Sequence, residues 1–184
     1  MLKGALGGRG HYDLSGESPL ISSSLTLEST TLGDQPLLFE RDSLVIEDQA
    51  LRLDLALRCG QSDEVVAING AIPFDPSSEL NLQVESHGDA LTPLAALSRG
   101  SVKIHSGRSD LRLMLRGSLN QPVANGFVVV SDGNITLGEQ SLSRINASML
   151  FDFDRVELQR LEAQMGSDGI LRGAGSIALL QERK

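Results

Sequence analysis

Residues Ser109–Leu137, SDLRLMLRGSLNQPVANGFVVVSDGNITL, decide the reading of this chain. Leu111, Leu113 and Leu115 fall on every second position, with Arg112, Met114 and Arg116 between them. Side chains of a strand point alternately to opposite faces, so this spacing makes one oily face and one wetter face. Gly117-Ser118 ends the run, Asn120-Gln121-Pro122 turns the chain, and Val123–Ser131 returns. Asp132-Gly133 is a tight-turn signal, after which Ile135 and Leu137 resume the alternation. A helix needs apolar residues three and four apart, and that period is missing. The stretch predicts strand, turn, strand, turn, strand.

The same grammar runs outward in both directions. Leu51, Leu53, Leu55 and Leu57 alternate with Arg52, Asp54, Ala56 and Arg58 in the plainest strand of the chain. Val66 and Ile68 return after Gln61-Ser62-Asp63, and Leu80, Leu82 and Val84 follow Asp75-Pro76-Ser77-Ser78. Towards the C-terminus Ile145, Ala147, Met149, Phe151 and Phe153 alternate strictly. The parity change between Leu158 and Leu161 predicts a bulge or a bend. A last strand runs over Ile170–Leu180. Leu2–Gly16, with glycine at 4, 7, 8, 10 and 16, reads as a loop followed by a short strand. The rhythm breaks at His87–Ser98, where Leu91, Leu94, Ala95 and Leu97 approach helical spacing. Thr92 before Pro93 suits an N-cap and first helical position, and Gly100 suits the far cap. This short helix near 91–98 is expected to cover one end of the sheet.

Three segments share alternating residues around a mid-strand glycine: VAINGAIPF (66–74), LMLRGSL (113–119) and LRGAGSIALL (171–180). Glycine inside a strand marks a bend or close approach, so its recurrence predicts a sheet that curves in steps. The whole is read as all-β: an elongated curved β-sheet forming an open hydrophobic groove. It is one section, 1–184, of a longer repetitive protein, with a repeat-like half over 1–105 and a second over 106–184. The start, MLKGALGGRG, has no apolar signal-peptide core and is expected to be cut from the middle of a longer chain.

Composition narrows the function. Hydrophobic residues make up 40% of the 184, yet aromatics are 3%, with no Trp and one Tyr. Aromatic rings usually anchor compact cores, so this almost wholly aliphatic apolar surface suggests an extended lining instead. The net charge of −8 argues against nucleic acid, which needs clustered Lys and Arg. One cysteine, Cys59, excludes an internal disulfide and argues against a Cys-based zinc site. No run approaches the roughly 20 apolar residues that span a bilayer.

Nothing assembles into a catalytic site. His11, His87 and His105 are far apart without metal-ligand spacing. Gly7-Gly8-Arg9-Gly10 lacks the Lys-Ser/Thr and helix of a phosphate loop. Asp152 and Asp154 flank Phe153 and read as the polar face of a strand. No serine sits in a nucleophile elbow, and the triplets at Asn134 and Asn146 read as chance matches to the glycosylation signal. No enzyme activity, cofactor or metal is expected.

From Gly107 to Leu180 the chain resembles the C-terminal region of the TamB-like translocation and assembly module family, within the AsmA-like superfamily. The words that carry it are GRSDLRLMLRGSLNQPVANGFVVVSDGNITL, then INASMLFDFDRVELQRLEAQMG, then ILRGAGSIAL. The FDFDR wording is similar to cyanobacterial members and their plastid relatives. Residues 44–105 fit as a preceding repeat. The resemblance implies a curved β groove (a "β-taco") in an inner-membrane-anchored protein spanning the periplasm, or the intermembrane space of a plastid. It implies work beside an outer-membrane barrel of the Omp85 class, in barrel assembly or phospholipid transfer in outer-membrane biogenesis, and no catalytic residues. The expected lining, in contact with phospholipid acyl chains, is Leu51, Leu53, Leu55, Leu57, Leu111, Leu113, Leu115, Ile145, Met149 and Phe151. The alternative is a closed β scaffold or chaperone that binds unfolded strands by edge pairing.

Overall fold

Alternating aliphatic and polar residues leave no helical stripe to bury, and the backbone pairs strand to strand along the chain. The computed structural model describes residues 2–13, 20–47, 49–88, 91–98 and 101–178. Eleven strands form one antiparallel sheet in simple sequence order. They are β1 (Leu2–Asp13), β2 (Leu20–Leu32), β3 (Gln35–Glu47), β4 (Ala50–Cys59), β5 (Val66–Pro73) and β6 (Asn81–Ser86). After helix α1 (Leu91–Leu97) come β7 (Val102–Gly117), β8 (Pro122–Leu137), β9 (Gln140–Phe153), β10 (Arg155–Met165) and β11 (Gly169–Ala178). Among the described residues β1 pairs with β2 alone and β11 with β10 alone, so the sheet is open. The expectation of an open, elongated all-β sheet with one short helix is met.

Three local readings are corrected. The glycine-rich start is no loop: Leu2–Asp13 is a full edge strand, because β2 supplies partners from Leu20 to Leu32. Asp132-Gly133 does not turn the chain, since β8 runs straight through it and the hairpin comes at Gly138-Glu139. The pair forms a bulge instead, with Asp132 at φ 52 and register shifts on both sides of Gly133. Bulge and turn both call for a residue tolerant of positive φ, which is why one signal fits both. Asp154 leaves the strand for the β9–β10 turn, while Asp152 stays in register between Asn125 and Arg155. The parity change in β10 is indeed a bulge, falling between Leu158 and Arg160.

The repeat of mid-strand glycines also shifts. Gly70 in β5 has φ 136, and its counterpart is Gly126 in β8, at φ 151, rather than Gly117, which closes β7 at the turn. Gly70 lies opposite Leu53 of LRLDL, and Gly126 opposite Leu113 of LRLML. A Cβ at either would sit 2.9 Å from the Cα of the residue across, Leu82 or Leu113. Only glycine lets the strands approach so closely at these φ values.

α1 starts at Leu91, so Thr92 lies inside the helix rather than capping it; Gly100 lies outside the described residues. The Leu91 N–H donates to Ser109 Oγ at 3.0 Å, and Ser109 itself is fully buried on β7. At the other end Ser98 Oγ accepts from the Val102 N–H at 3.0 Å and donates to the Ala95 carbonyl at 2.6 Å. The helix fills the notch left beside the long β7 by the six-residue β6. A cavity of about 510 Å³ there is lined by Gly33, Gln61, Ala95, Ala96, Val102 and Ile104.

Candidate functional site: one aliphatic face across the sheet

Residues directly opposite in neighbouring antiparallel strands share a face, so the registers trace each face across the sheet. Leu51, Leu53, Leu55 and Leu57 lie opposite Ile72, Gly70, Ile68 and Val66. From β5 the row continues through Ile68, Val84 and Leu113, and through Gly70, Leu82 and Leu115. It goes on through Leu111, Val128 and Met149, and through Leu113, Gly126 and Phe151. Ile145 lies opposite Gly133 and packs in one buried cluster with Val128, Val130 and Ala163. All ten residues expected to line a groove therefore share a face. On β3, Leu44 and Ile46 extend it, as do Leu158 and Leu161 on β10.

The opposite face is polar and ion-paired. Arg41 reaches Asp54 at 2.7 Å, Arg52 reaches Glu47 at 2.5 Å and Arg112 reaches Glu85 at 3.0 Å. Arg160 binds Glu162 at 2.6 Å, with Arg172 3.7 Å from the same carboxylate. The Arg160 hydrogen bond, more than its charge alone, holds the Glu162 carboxyl below its ordinary value of 4.5. Met114 lies on this face, between Gln83 and Asn125.

The two faces differ in curvature. On β8, Val128 is 3% and Val130 7% exposed on the aliphatic face, whereas their neighbours Phe127 and Val129 on the polar face are 40% and 36% exposed. No second sheet packs on either side among the described residues, and Leu91 of the helix packs against this cluster. With no second sheet above it, the burial of this face comes from flanking side chains and the helix end that close over it, as a curved sheet allows. The bend has a visible cause. Bulges lie side by side in β7 (Ile104–Arg108), β8 (Val130–Ile135) and β9 (Ser143–Asn146), and each bulge bends its strand. Gly107, Asp132 and Arg144 sit at φ 135, 52 and 49 along this crease.

Asparagines hold the crease together. Asn134 Nδ2 donates to Ser106 Oγ at 2.7 Å and to the Asp132 carbonyl at 3.3 Å, while its Oδ1 accepts from the Arg144 N–H at 3.3 Å. Asn146 Oδ1 accepts from the Asp132 N–H, and its Nδ2 donates to the Arg144 carbonyl at 3.1 Å. The sequence signals missed here were Asn134, Asn146 and Gly126. The Phe127-Val128-Val129-Val130 run is apolar on both parities, so its buried face could not be read off.

Among the described residues the histidines and acids singled out in the sequence are not brought together into one cluster. His87 Nδ1 lies 3.4 Å from Asp110 on the surface, His105 Nε2 lies 2.8 Å from Thr136 Oγ1, and the side chain of His11 lies outside the described residues. No group of His, Cys, Asp or Glu among the described residues could hold a metal ion. Asp75 is held below the usual carboxylate range by the Ser77 N–H and by the Ser77 and Ser78 hydroxyls, which is the work of a tight turn. Among the described residues no helix is long and apolar enough to cross a membrane. Set against protein-family models, curated proteins and solved structures, the chain finds no match in any of the three.

Proposed function

We propose that the concave aliphatic face receives lipid acyl chains and that the chain is a non-catalytic section of a lipid-conducting β groove. The observation that carries this reading is the one-sided burial on β8 together with the continuity of the aliphatic row from β3 to β10. An acyl chain leaving water for such a wall gains about 0.8 kcal/mol per buried methylene. Its headgroup stays outside, because a phosphate buried without partners costs far more. No fixed polar group punctuates the row through Leu113, Gly126 and Phe151, so a chain is held by area rather than by position, which suits sliding. The resemblance in wording favours a section of an inner-membrane-anchored periplasmic bridge whose full-length form meets an Omp85-class barrel. Strands of barrel precursors are the second cargo that an aliphatic trough accepts. The open sheet of the described residues favours a groove over the closed scaffold; edge pairing itself remains open to it.

The test is photo-crosslinking with a benzophenone side chain at Leu113 and, separately, at Met114. The two adjacent residues lie on opposite faces. Phospholipid captured at Leu113 and not at Met114 is the expected result. Capture of none at Leu113 in folded protein overturns the reading, and peptide adducts there in place of lipid favour the precursor cargo.

A further inference from the structure

β6 pairs with β7 from Leu111 to Leu115, which leaves the earlier half of β7 bordering a notch that α1 fills in part. The cavity of about 510 Å³ in that notch joins parts of the chain remote in sequence. The β2–β3 turn gives it Gly33 and Asp34, the β4–β5 turn Gln61, and β7 Val102, Lys103 and Ile104. A Cβ at Gly33 would lie 2.5 Å from the Ala96 carbonyl oxygen, so turn and helix meet backbone to backbone and the wall is preformed. The floor is aliphatic. Ala95, Val102 and Ile104 are half-buried in it, and Val102 and Ile104 lie opposite Leu137 and Ile135 of β8. Ile135 packs in turn against the buried cluster of Val128, Val130, Ile145 and Ala163, as Leu91 of α1 does. The mouth is polar and exposed, with Asp34 on one wall and Lys103 on the other. These are its two charged lining residues, opposite in sign, and among the described residues neither is drawn into an ion pair.

We propose that this cavity receives the zwitterionic headgroup of a phospholipid, its amine towards Asp34 and its phosphate towards Lys103. This rests on the acyl-chain reading of the aliphatic face, and adds which lipids load there. A volume of about 510 Å³ lies within the roughly 300–1,000 Å³ of small-molecule sites. Contacts at the mouth leave the phosphate in touch with water, so it escapes the cost of burial without partners. From there the acyl chains pass over Val102 and Ile104 to Ile135, and so onto the row of Val128 and Met149. Asp34 discriminates, because an anionic headgroup with no amine sets a like charge against it. Both signs are needed at once, since Lys103 alone would admit any phosphate. The row through Leu113, Gly126 and Phe151 keeps no polar group. The cavity therefore fixes a lipid at one end and leaves the rest of the face for sliding.

The test is isothermal titration calorimetry of the chain with two lysophospholipids of equal acyl length, one carrying ethanolamine and one glycerol, below their micellar concentrations. The ethanolamine lipid is expected to bind about threefold tighter, the scale of charge contacts that stay exposed. Asp34→Asn should erase that preference, chiefly by tightening the glycerol lipid, and Lys103→Met should weaken both alike. Both side chains are exposed, so the circular dichroism should stay unchanged. Free phosphoethanolamine should not saturate the site at the same concentrations. Equal affinities for the two lipids, or a preference that survives Asp34→Asn, overturn the proposal. So does phosphoethanolamine bound as tightly as its lysolipid, which would make this the site of a soluble zwitterion. The two readings fail separately. Lipid captured at Leu113 without a headgroup preference ends this one alone, whereas no capture at Leu113 and no lysolipid binding end both.

Discussion

Gly126→Ala tests whether close approach at mid-strand glycines shapes the sheet. The added Cβ would lie 2.9 Å from Leu113 Cα and closer still to the Arg112 carbonyl oxygen. Ordinary carbon–carbon contact begins at about 3.5–4.0 Å, so β7 and β8 must part by at least about 0.6–1.1 Å at a point where both are backbone. No flexible side chain can give way. The backbone angle adds to this: φ 151 is sparsely populated for any residue with a Cβ, and such a conformation costs about 1–3 kcal/mol. Clash and strain together put the loss near 3 kcal/mol, at the top of that range, which lowers the melting temperature by about 6–12 °C in a domain of this size. Urea unfolding followed by circular dichroism measures it. Two companion substitutions separate the causes. Gly138→Ala shares a positive φ, 59, with nothing within 4 Å of the new methyl, and should lose only about 1 kcal/mol. Gly175→Ala meets open space without a positive φ and should be neutral or slightly stabilising. If Gly126→Ala lies within about 0.5 kcal/mol of the parent, the two strands do not meet as described and the argument for stepped curvature fails with them.

Other consequences are cheaper to check. Val128→Ala should cost about 2 kcal/mol in urea unfolding, and Val129→Ala, one residue along on the exposed face, about 0.5 or less; equal losses would deny the concavity. Asn134→Ala removes three hydrogen bonds from the crease, so about 1–2 kcal/mol of stability should go, with binding of a hydrophobic dye rising as the face opens; unchanged dye binding would detach the asparagine from the bend. Glu162 has its folded-state carboxyl below the ordinary 4.5, so its contribution is complete above that pH and is lost as pH falls through the lower folded value. NMR titration should show this depressed midpoint, and Arg160→Met should return it towards 4.5. Cys59, almost fully buried, should resist thiol reagents until the sheet unfolds.

The face of the sheet was readable wherever polar and apolar residues alternate. In LRLDLAL and LRLML one parity is aliphatic and the other carries Arg, Asp or Met, and pairing leaves each on the side its spacing requires. Strand length and bending were not readable, because they depend on partners distant in sequence. Asp132-Gly133 looks the same locally whether it ends a hairpin or bulges a strand; the outcome rests on Ser131 finding Arg108 and Asn134 finding Ser106. The glycines of β1 lower its own preference for strand, yet Leu25 and Leu27 of β2 hold Gly8 and Leu6 in register. Asn134 and Asn146 resembled modification signals because a triplet carries no information about a side chain's hydrogen-bond partners. The candidate site was thus legible as composition and parity, while its concavity belongs to bulges aligned across three strands.

Bulges and ion pairs together explain how an open sheet of 11 strands can carry an aliphatic face with no second layer. On the polar side, charges pair within and across strands, as Arg160 and Arg172 do around Glu162. That keeps this face in water without inviting association. On the other side, the crease at Gly107, Asp132 and Arg144 folds the long strands over their own aliphatic residues, so the face partly covers itself. Leu, Val, Ile and Ala suit this better than aromatic rings. Under the proposed function the surface should offer a mobile chain area without the deep sockets in which rings lock. The total accessible surface of 12176 Å² exceeds the about 8,600 Å² expected of a compact chain of this mass. The excess fits an open sheet with one aliphatic face, the face that the proposed function fills with an acyl chain along the trough.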